Sequence, residues 1–320
     1  MAYGFQELIG WIQREHGFGS ASEWVRFMAS RLRDESKQVH PPTDIHRILR
    51  DRNIELRFVP ELDVEGRLAC LESRFVILLN ERLRRYQSRA RFTTAHELGH
   101  TLFYDLTSPQ PRRAVPHHFN NAFEERLCSD FAGELLIPFN YLSDVASGFQ
   151  QKDEAKKAEV LDQVARCCMV AREVAACHLV RTLGWWKSIL IFTAEAGKRG
   201  LRDSTDRARR IIWSWHPPEF DGQLYIPGRD GTFPKIKVQE LQRVAVDAAS
   251  SFSARNVRSS LLKIGNLSSV LGRVVGSEAQ VWAVDCSIST TQGSMFPPAV
   301  ESSRREVLLT IPVPNRSEAA

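Results

Sequence analysis

The stretch that most restricts this chain reads RFTTAHELGHTLF, from Arg91 to Phe103. His96 and His100 stand four residues apart, with Glu97 directly after the first. On an α-helix, side chains at i and i+4 share one face about 5–6 Å apart, so both imidazoles reach one cation. This is the HExxH arrangement, in which two histidines bind Zn²⁺ and the glutamate is general base for a metal-bound water. The neighbouring Thr93, Thr94, Ala95, Leu98, Gly99, Thr101 and Leu102 are all uncharged, as expected of a helix buried inside a domain. A solvated helix would carry Lys or Glu in those slots.

The remaining composition sets the frame. A chain of 320 residues has room for a buried core and, at about 150 residues per domain, predicts two domains. Hydrophobic content of 43% and charged content of 25% are ordinary for a soluble globular protein. The net charge of +5 and pI near 9.0 permit nucleic-acid contact without requiring it. The basic excess falls entirely after residue 184 and is scattered. Six cysteines with no CxxC pair and no disulfide-like spacing predict reduced thiols. The N-terminus lacks a basic start followed by an apolar run, and the apolar FVILL at 75–79 is far short of the ~20 residues that span a bilayer. The expected compartment is the cytoplasm, with no membrane partner.

Along the chain, residues 3–15 and 22–37 read as two amphipathic helices, the second capped by Ser22. Pro41 and Pro42 mark a boundary, after which Thr43 caps a short helix with Ile45, Ile48 and Leu49 on its buried side. IELRFVP (54–60) alternates like a strand, and RLACLESRFVILLN (67–80) reads as a strand pair or one bent strand. ERLRRYQSRARF then carries Arg82, Arg84, Arg85, Arg89 and Arg91, read as a solvated helix rather than a nucleic-acid surface. The helix bearing the histidines is expected from Phe92 or Thr93 to Tyr104 or Asp105. A Pro- and Asn-rich loop (108–121) separates it from AFEERLCSDFAGELLIP, a second helix from Ala122 closed by Pro138. Residues 154–183 read as short helices and 185–194 as a strand or helix end. A helical stretch near 238–252 and strands at 278–286 and 306–313 complete the chain.

A catalytic zinc has three protein ligands and one water. The HExxHxxGxxH extension fails, because Phe103 and Leu106 stand at its Gly and His positions. Asp105, His117, His118, Glu124, Glu125 and Asp130 remain. Asp105 lies at the far end of the same helix, and His117 and His118 are loop residues better suited to face a substrate. On the second helix, Phe123, Leu127, Phe131 and Leu135 recur every four residues, which leaves Glu125, Cys128 and Ser129 on an adjoining face. Periodicity does not rank Glu124 against Glu125.

Together, RFTTAHELGH, a loop and EERLCSDFAGELLIP resemble the ImmA/IrrE family of zinc metallo-endopeptidases. PPTDIHRILRDRNIEL, the strand ending LLNERL and the ELLIP close follow in the family's order, so the resemblance covers roughly 40–185. It implies a zincin-like fold and a third ligand six residues before the Phe of the FA pair, which is Glu125 counted from Phe131. Four residues further on, the family often has Asn where this chain has Ser129. A hydrogen bond to a ligand histidine would then come from that hydroxyl or from Asp130. The implied mechanism has Zn²⁺, with Mn²⁺ as a substitute, held by His96, His100 and Glu125, and Glu97 as general base. His117, His118 and Tyr141 are candidates for the oxyanion donor or a substrate contact, and an edge strand near 75–80 for aligning the substrate.

EVLDQVARCCMVAREVAACHLVRTLG (159–184) resembles a helix-turn-helix, with Val164, Ala165, Cys168, Val170, Ala175 and Leu179 as packing positions. Met169 stands where the turn often has Gly. The family carries a similar hairpin, so packing is favoured over direct DNA binding. The expected class is α+β: an N-terminal helical segment (1–38), a zincin-like peptidase domain (39–150), a helix-turn-helix-like hairpin (151–185) and a C-terminal α+β domain (200–316). Some relatives place a sensory domain there. The resemblance implies a regulatory protease whose partner is a helix-turn-helix repressor, inducing stress, mobile-element or prophage genes. The alternative is a DNA- or partner-binding regulator with a structural or vestigial zinc site.

Overall fold

The computed structural model describes residues 3–71, 74–105, 111–114, 121–147 and 154–183, and segments 188–195, 209–215, 261–266, 280–285 and 306–312. The chain divides into two compact units, residues 1–148 with 163–178 and residues 149–162 with 179–320.

In the first unit, helices α1 (Tyr3–His16) and α2 (Ala21–Glu35) come first. The cap of α2 is Ser20, not the expected Ser22, because the Ser20 hydroxyl accepts from the Glu23 amide at 3.2 Å. The buried side of α2 is Trp24, Val25, Ala29 and Leu32, and Trp24 meets Phe103 edge-on at 5.7 Å. The short α3 (Ile45–Asp51) buries Ile45, Ile48 and Leu49 as the pattern predicts. Its cap is Asp44, which accepts from Arg47. Thr43 is turned away, and its hydroxyl donates to the Leu135 carbonyl at 2.8 Å.

Strands β1 (Glu55–Val59), β2 (Gly66–Leu71) and β3 (Arg74–Asn80) form a sheet in the order β1-β3-β2. The pair β1–β3 is parallel, with Glu55 opposite Val76, and β2–β3 antiparallel, with Gly66 opposite Leu79. The strand expected at the edge, 75–80, is therefore the central one. FVILL is a continuous apolar run, which suits a strand buried on both faces, and Phe75, Val76, Ile77 and Leu79 are all buried. The edges are β1 and β2, and β2 is the one that packs beside the helix bearing the histidines.

The arginine-rich segment is not one helix. Glu81–Arg85 forms a 3₁₀ turn capped by the Asn80 side chain, and α4 (Gln87–His100) begins after Tyr86. Most of the arginines have partners within the fold: Arg84 with Glu81, Arg89 with Glu65, Arg82 with Asn80, and Arg91 with the Thr43 carbonyl. Helix α4 ends earlier than expected, at His100. Thr101 closes it by donating its hydroxyl to Leu98, and Thr101–Phe103 forms one 3₁₀ turn. Tyr104–Asp105 (β4) then pairs with Arg112–Arg113 (β5). Helix α5 (Asn121–Leu136) runs against α4, and α2 packs on α5. Next comes α6 (Phe139–Ser147).

Helices α7 (Glu154–Cys168) and α8 (Arg172–Leu183) flank Met169, whose φ of 53° lies in the left-handed region that favours glycine. The six packing positions expected in this hairpin are all buried. In the second unit, β6 (Ser188–Glu195), β7 (Arg209–Trp215), β8 (Leu261–Asn266), β9 (Gln280–Asp285) and β10 (Glu306–Pro312) form an antiparallel sheet ordered β7-β6-β10-β9-β8. Strands β7 and β8 add to those expected, and the helix expected near 238–252 lies outside the described residues. Among the described residues, no helix is long and apolar enough to cross a membrane.

Candidate metal centre

Helix α4 supplies the first two site residues at adjacent turns, and their rings lie 5.1 Å apart, nearly edge to face. What lets the third approach is Gly99. A Cβ there would stand 3.1 Å from the Cys128 Cα and 3.1 Å from the Phe131 ring, so any larger residue would press α5 outward by a few tenths of an ångström. The contact aligns the Glu124–Ser129 segment with the histidine face. His96, His100 and Glu125 then offer donor atoms all within 4.8 Å of one another.

The nitrogens are sorted by their partners. His96 Nε2 lies 3.0 Å from Glu125 Oε2, and His100 Nε2 lies 3.5 Å from Glu125 Oε1. The other nitrogen of each ring is engaged elsewhere: His96 Nδ1 is 3.2 Å from Ser129 Oγ, and His100 Nδ1 is 2.9 Å from Glu124 Oε1. Ser129 donates its own proton to the Glu125 carbonyl at 2.9 Å, so it accepts from His96 Nδ1–H. Glu124, as a carboxylate, likewise accepts from His100 Nδ1–H. Both Nε2 lone pairs are thereby directed to the point where Glu125 sits. Two imidazole nitrogens and a carboxylate oxygen suit Zn²⁺, whose bonds to them are about 2.0–2.2 Å.

The sequence left Glu124 and Glu125 unranked, and the two are separated in space by role. Glu125 is half exposed at the cleft, whereas Glu124 is buried behind His100 and paired with Arg113. Burial alone would raise the Glu124 carboxyl, but His100 and Arg113 together bring it below the usual range. For His100 the same balance holds in reverse: burial disfavours its charge, and Glu124, Glu97 and Glu125 outweigh it and raise the imidazole. His96 is lowered by burial and by His100, against the opposing pull of Glu125.

Glu97 points to the opposite side of the cleft, toward β2. Burial raises its carboxyl, while the Leu68 backbone N–H bonded to it acts in the opposite sense. Gly66 makes room for it, since a Cβ there would fall 2.9 Å from Glu97 Oε1 and 2.5 Å from Thr93 Cγ2. The cleft holds about 610 Å³ and is lined on one wall by Val64, Gly66, Arg67 and Leu68 and on the other by Tyr104, Glu124 and Ser129.

Of the other expected contacts, His117 and His118 lie outside the described residues. Tyr141 is on α6 and is not among the cleft's lining residues. Tyr104 occupies the cleft wall instead. Asp130 does not line the cleft either, and its charge acts on Glu134 one turn along α5. The residues not anticipated are Arg113, Tyr104 and Gly66. Only Gly66 left a trace in the sequence, as the glycine opening a strand.

Residues 50–178 match the model of the Peptidase_M78 family, described as the IrrE N-terminal-like domain. That segment is similar to the IrrE N-terminal-like domain. It contains α4, α5 and the whole histidine–glutamate cluster, so the likeness to a peptidase family takes in the candidate site. The mixed α+β architecture of the domain, with a small sheet beside the HExxH helix, fits a zincin-like fold. No curated protein matches the chain. A solved structure described as a Mycobacterium tuberculosis transcriptional regulator aligns at 14% identity, covering 96% of this chain and 94% of that one, with a TM-score of 0.46.

Proposed function

We propose that the IrrE N-terminal-like domain of this chain is a zinc-dependent endopeptidase that cleaves a regulatory protein. The observation that carries this reading is the sorting of nitrogens. Both histidines have Nδ1 tied to α5 side chains and turn Nε2 toward Glu125, while Glu97 stands buried beside them without joining the set. A structural site would have no use for an acid in that position.

His96, His100 and Glu125 would hold the ion. When bound, Zn²⁺, or Mn²⁺ in its place, supplies Lewis acidity toward a peptide carbonyl and lowers the pKa of water toward ~7. Glu97 accepts the proton of the attacking water at its carboxylate and delivers it to the departing amine nitrogen as the C–N bond breaks. Its buried position, with a pKa above the ordinary carboxylate range, brings it nearer to neutral pH, where proton acceptance and return are both feasible. The edge strand β2 borders the cleft, and an extended substrate can add to it by main-chain pairing.

The resemblance to the ImmA/IrrE family supports the substrate reading, a helix-turn-helix repressor whose cleavage induces the genes it silences. The test is Glu97→Gln, assayed with Zn²⁺ or Mn²⁺ on the product of any small helix-turn-helix gene beside this one. The variant should bind metal as the native chain does and cut roughly 10²–10⁴ times more slowly. Unchanged cleavage, or unchanged induction in cells, refutes the protease reading. Salt-dependent binding to one DNA duplex would point to a regulator instead.

A further inference from the structure

The proposed metal site explains Glu124 but not the arginine behind it. Arg113 lies on β5, a two-residue strand directly opposite Tyr104 in the β4–β5 pair. The pairing is extended by the Ala114 amide, which donates to the Phe103 carbonyl at 2.9 Å. This short ladder follows α4 with only one 3₁₀ turn between, so Arg113 returns beside the end of the metal helix. There its guanidinium binds Glu124 Oε2, while Glu124 Oε1 accepts from His100 Nδ1 at 2.9 Å. Tyr104, opposite Arg113 in the strand pair, lines the cleft wall.

We propose that Arg113 is a positioning residue of the metal centre, fixing His100 through Glu124. The two carboxylate oxygens of Glu124 divide the work, one orienting the imidazole and the other anchored by the guanidinium. A carboxylate on α5 with nothing on its second oxygen could rotate about its last torsion, and His100 Nε2 would lose its fixed direction. Glu124 is 3% exposed, so water cannot stand in for the lost guanidinium at full strength. The arrangement also ties the β4–β5 strand pair to the site, since Arg113 lies opposite the cleft residue Tyr104 and holds the carboxylate behind His100. It rests on the reading of His96, His100 and Glu125 as a metal site.

The experiment measures metal binding, without any peptide. The full chain is stripped with chelator and titrated with Co²⁺, followed by its visible absorption, and with Zn²⁺ by competition. Arg113→Met should weaken both about 10- to 100-fold and alter the Co²⁺ spectrum, and Arg113→Lys should recover part of the affinity. The metal-free Arg113→Met chain should stay folded by circular dichroism but melt at a lower temperature, because the buried Glu124 loses its ion-pair partner. In a Glu124→Gln background, Arg113→Met should add little, because its effect runs through that carboxylate. Native affinity in Arg113→Met, or losses that simply add in the double variant, would overturn the role of Arg113 and leave the metal site standing. A native chain that takes up neither ion refutes the site and this proposal together.

Discussion

Gly66 shows how a single residue can matter to the proposed chemistry without touching metal. It opens β2, and its missing side chain leaves the space in which Glu97 Oε1 and the Thr93 methyl lie. Thr93 and Glu97 are both buried and sit on the same helix one turn apart, so an added methyl has nowhere to displace them except toward the histidines or into the cleft. Gly66→Ala should therefore move the Glu97 carboxylate while leaving His96, His100 and Glu125 in place. Misplacing a catalytic group by about 1 Å can cost ~10²-fold, and the expected outcome is a 10- to 100-fold fall in kcat with unchanged Zn²⁺ affinity. Steady-state kinetics on a cleavable repressor, together with metal titration, would check both halves. A parallel loss of metal affinity would show that the glycine serves α4 as a whole and not the base.

At the level of elements, the site depends on how α5 is held against α4, and the far end of α5 is tied down by polar groups from elsewhere. Thr43 donates to the Leu135 carbonyl at 2.8 Å, and Arg33 donates to the Glu134 carbonyl at 2.5 Å. These are the last carbonyls of the helix, which have no partner within it. Arg91, on α4, donates to the Thr43 carbonyl at 2.8 Å and so links the two site helices through one residue. Thr43→Val keeps the shape but leaves the buried Leu135 carbonyl with only the longer Arg33 contact of 3.4 Å. The expected cost is about 1–3 kcal/mol, read as a lower denaturation midpoint with an unchanged slope. This element also marks the limit of what the sequence disclosed. The ELLIP close and the i, i+4 histidines were legible because helix periodicity and metal geometry are local. Thr43 read as an ordinary N-cap, since a hydroxyl reaching 92 residues along the chain leaves no local signal. The central place of β3 could have been inferred from its unbroken FVILL run. The separation of Glu124 from Glu125 could not be read from periodicity, because neighbouring helix positions differ only in what tertiary contacts surround them.

On the scale of the whole molecule, the family match begins at residue 50, yet the unit that holds the site begins at the N-terminus. Trp24 on Phe103, Arg26 with Glu134 and Arg33 on the end of α5 all come from α2, outside the match. The support of α5 is thus built partly from residues that the family pattern does not contain, and metal, α4, α5 and α2 are expected to respond as one. A ligand that binds only the folded state stabilises it by RT ln(1 + [L]/Kd), about 2.7 kcal/mol at a hundred times Kd. For a unit of this size that corresponds to roughly 5–10 °C in melting temperature. Chelator should lower the thermal transition of the native chain by about that amount, and Zn²⁺ should restore it. His100→Ala should abolish the response, whereas Glu97→Gln should keep it, because the proposed role of Glu97 is that of base and not of ligand. Thermal scans of the three proteins with chelator and with Zn²⁺ test this directly. An equal shift in His100→Ala would mean that the stabilising ion binds elsewhere.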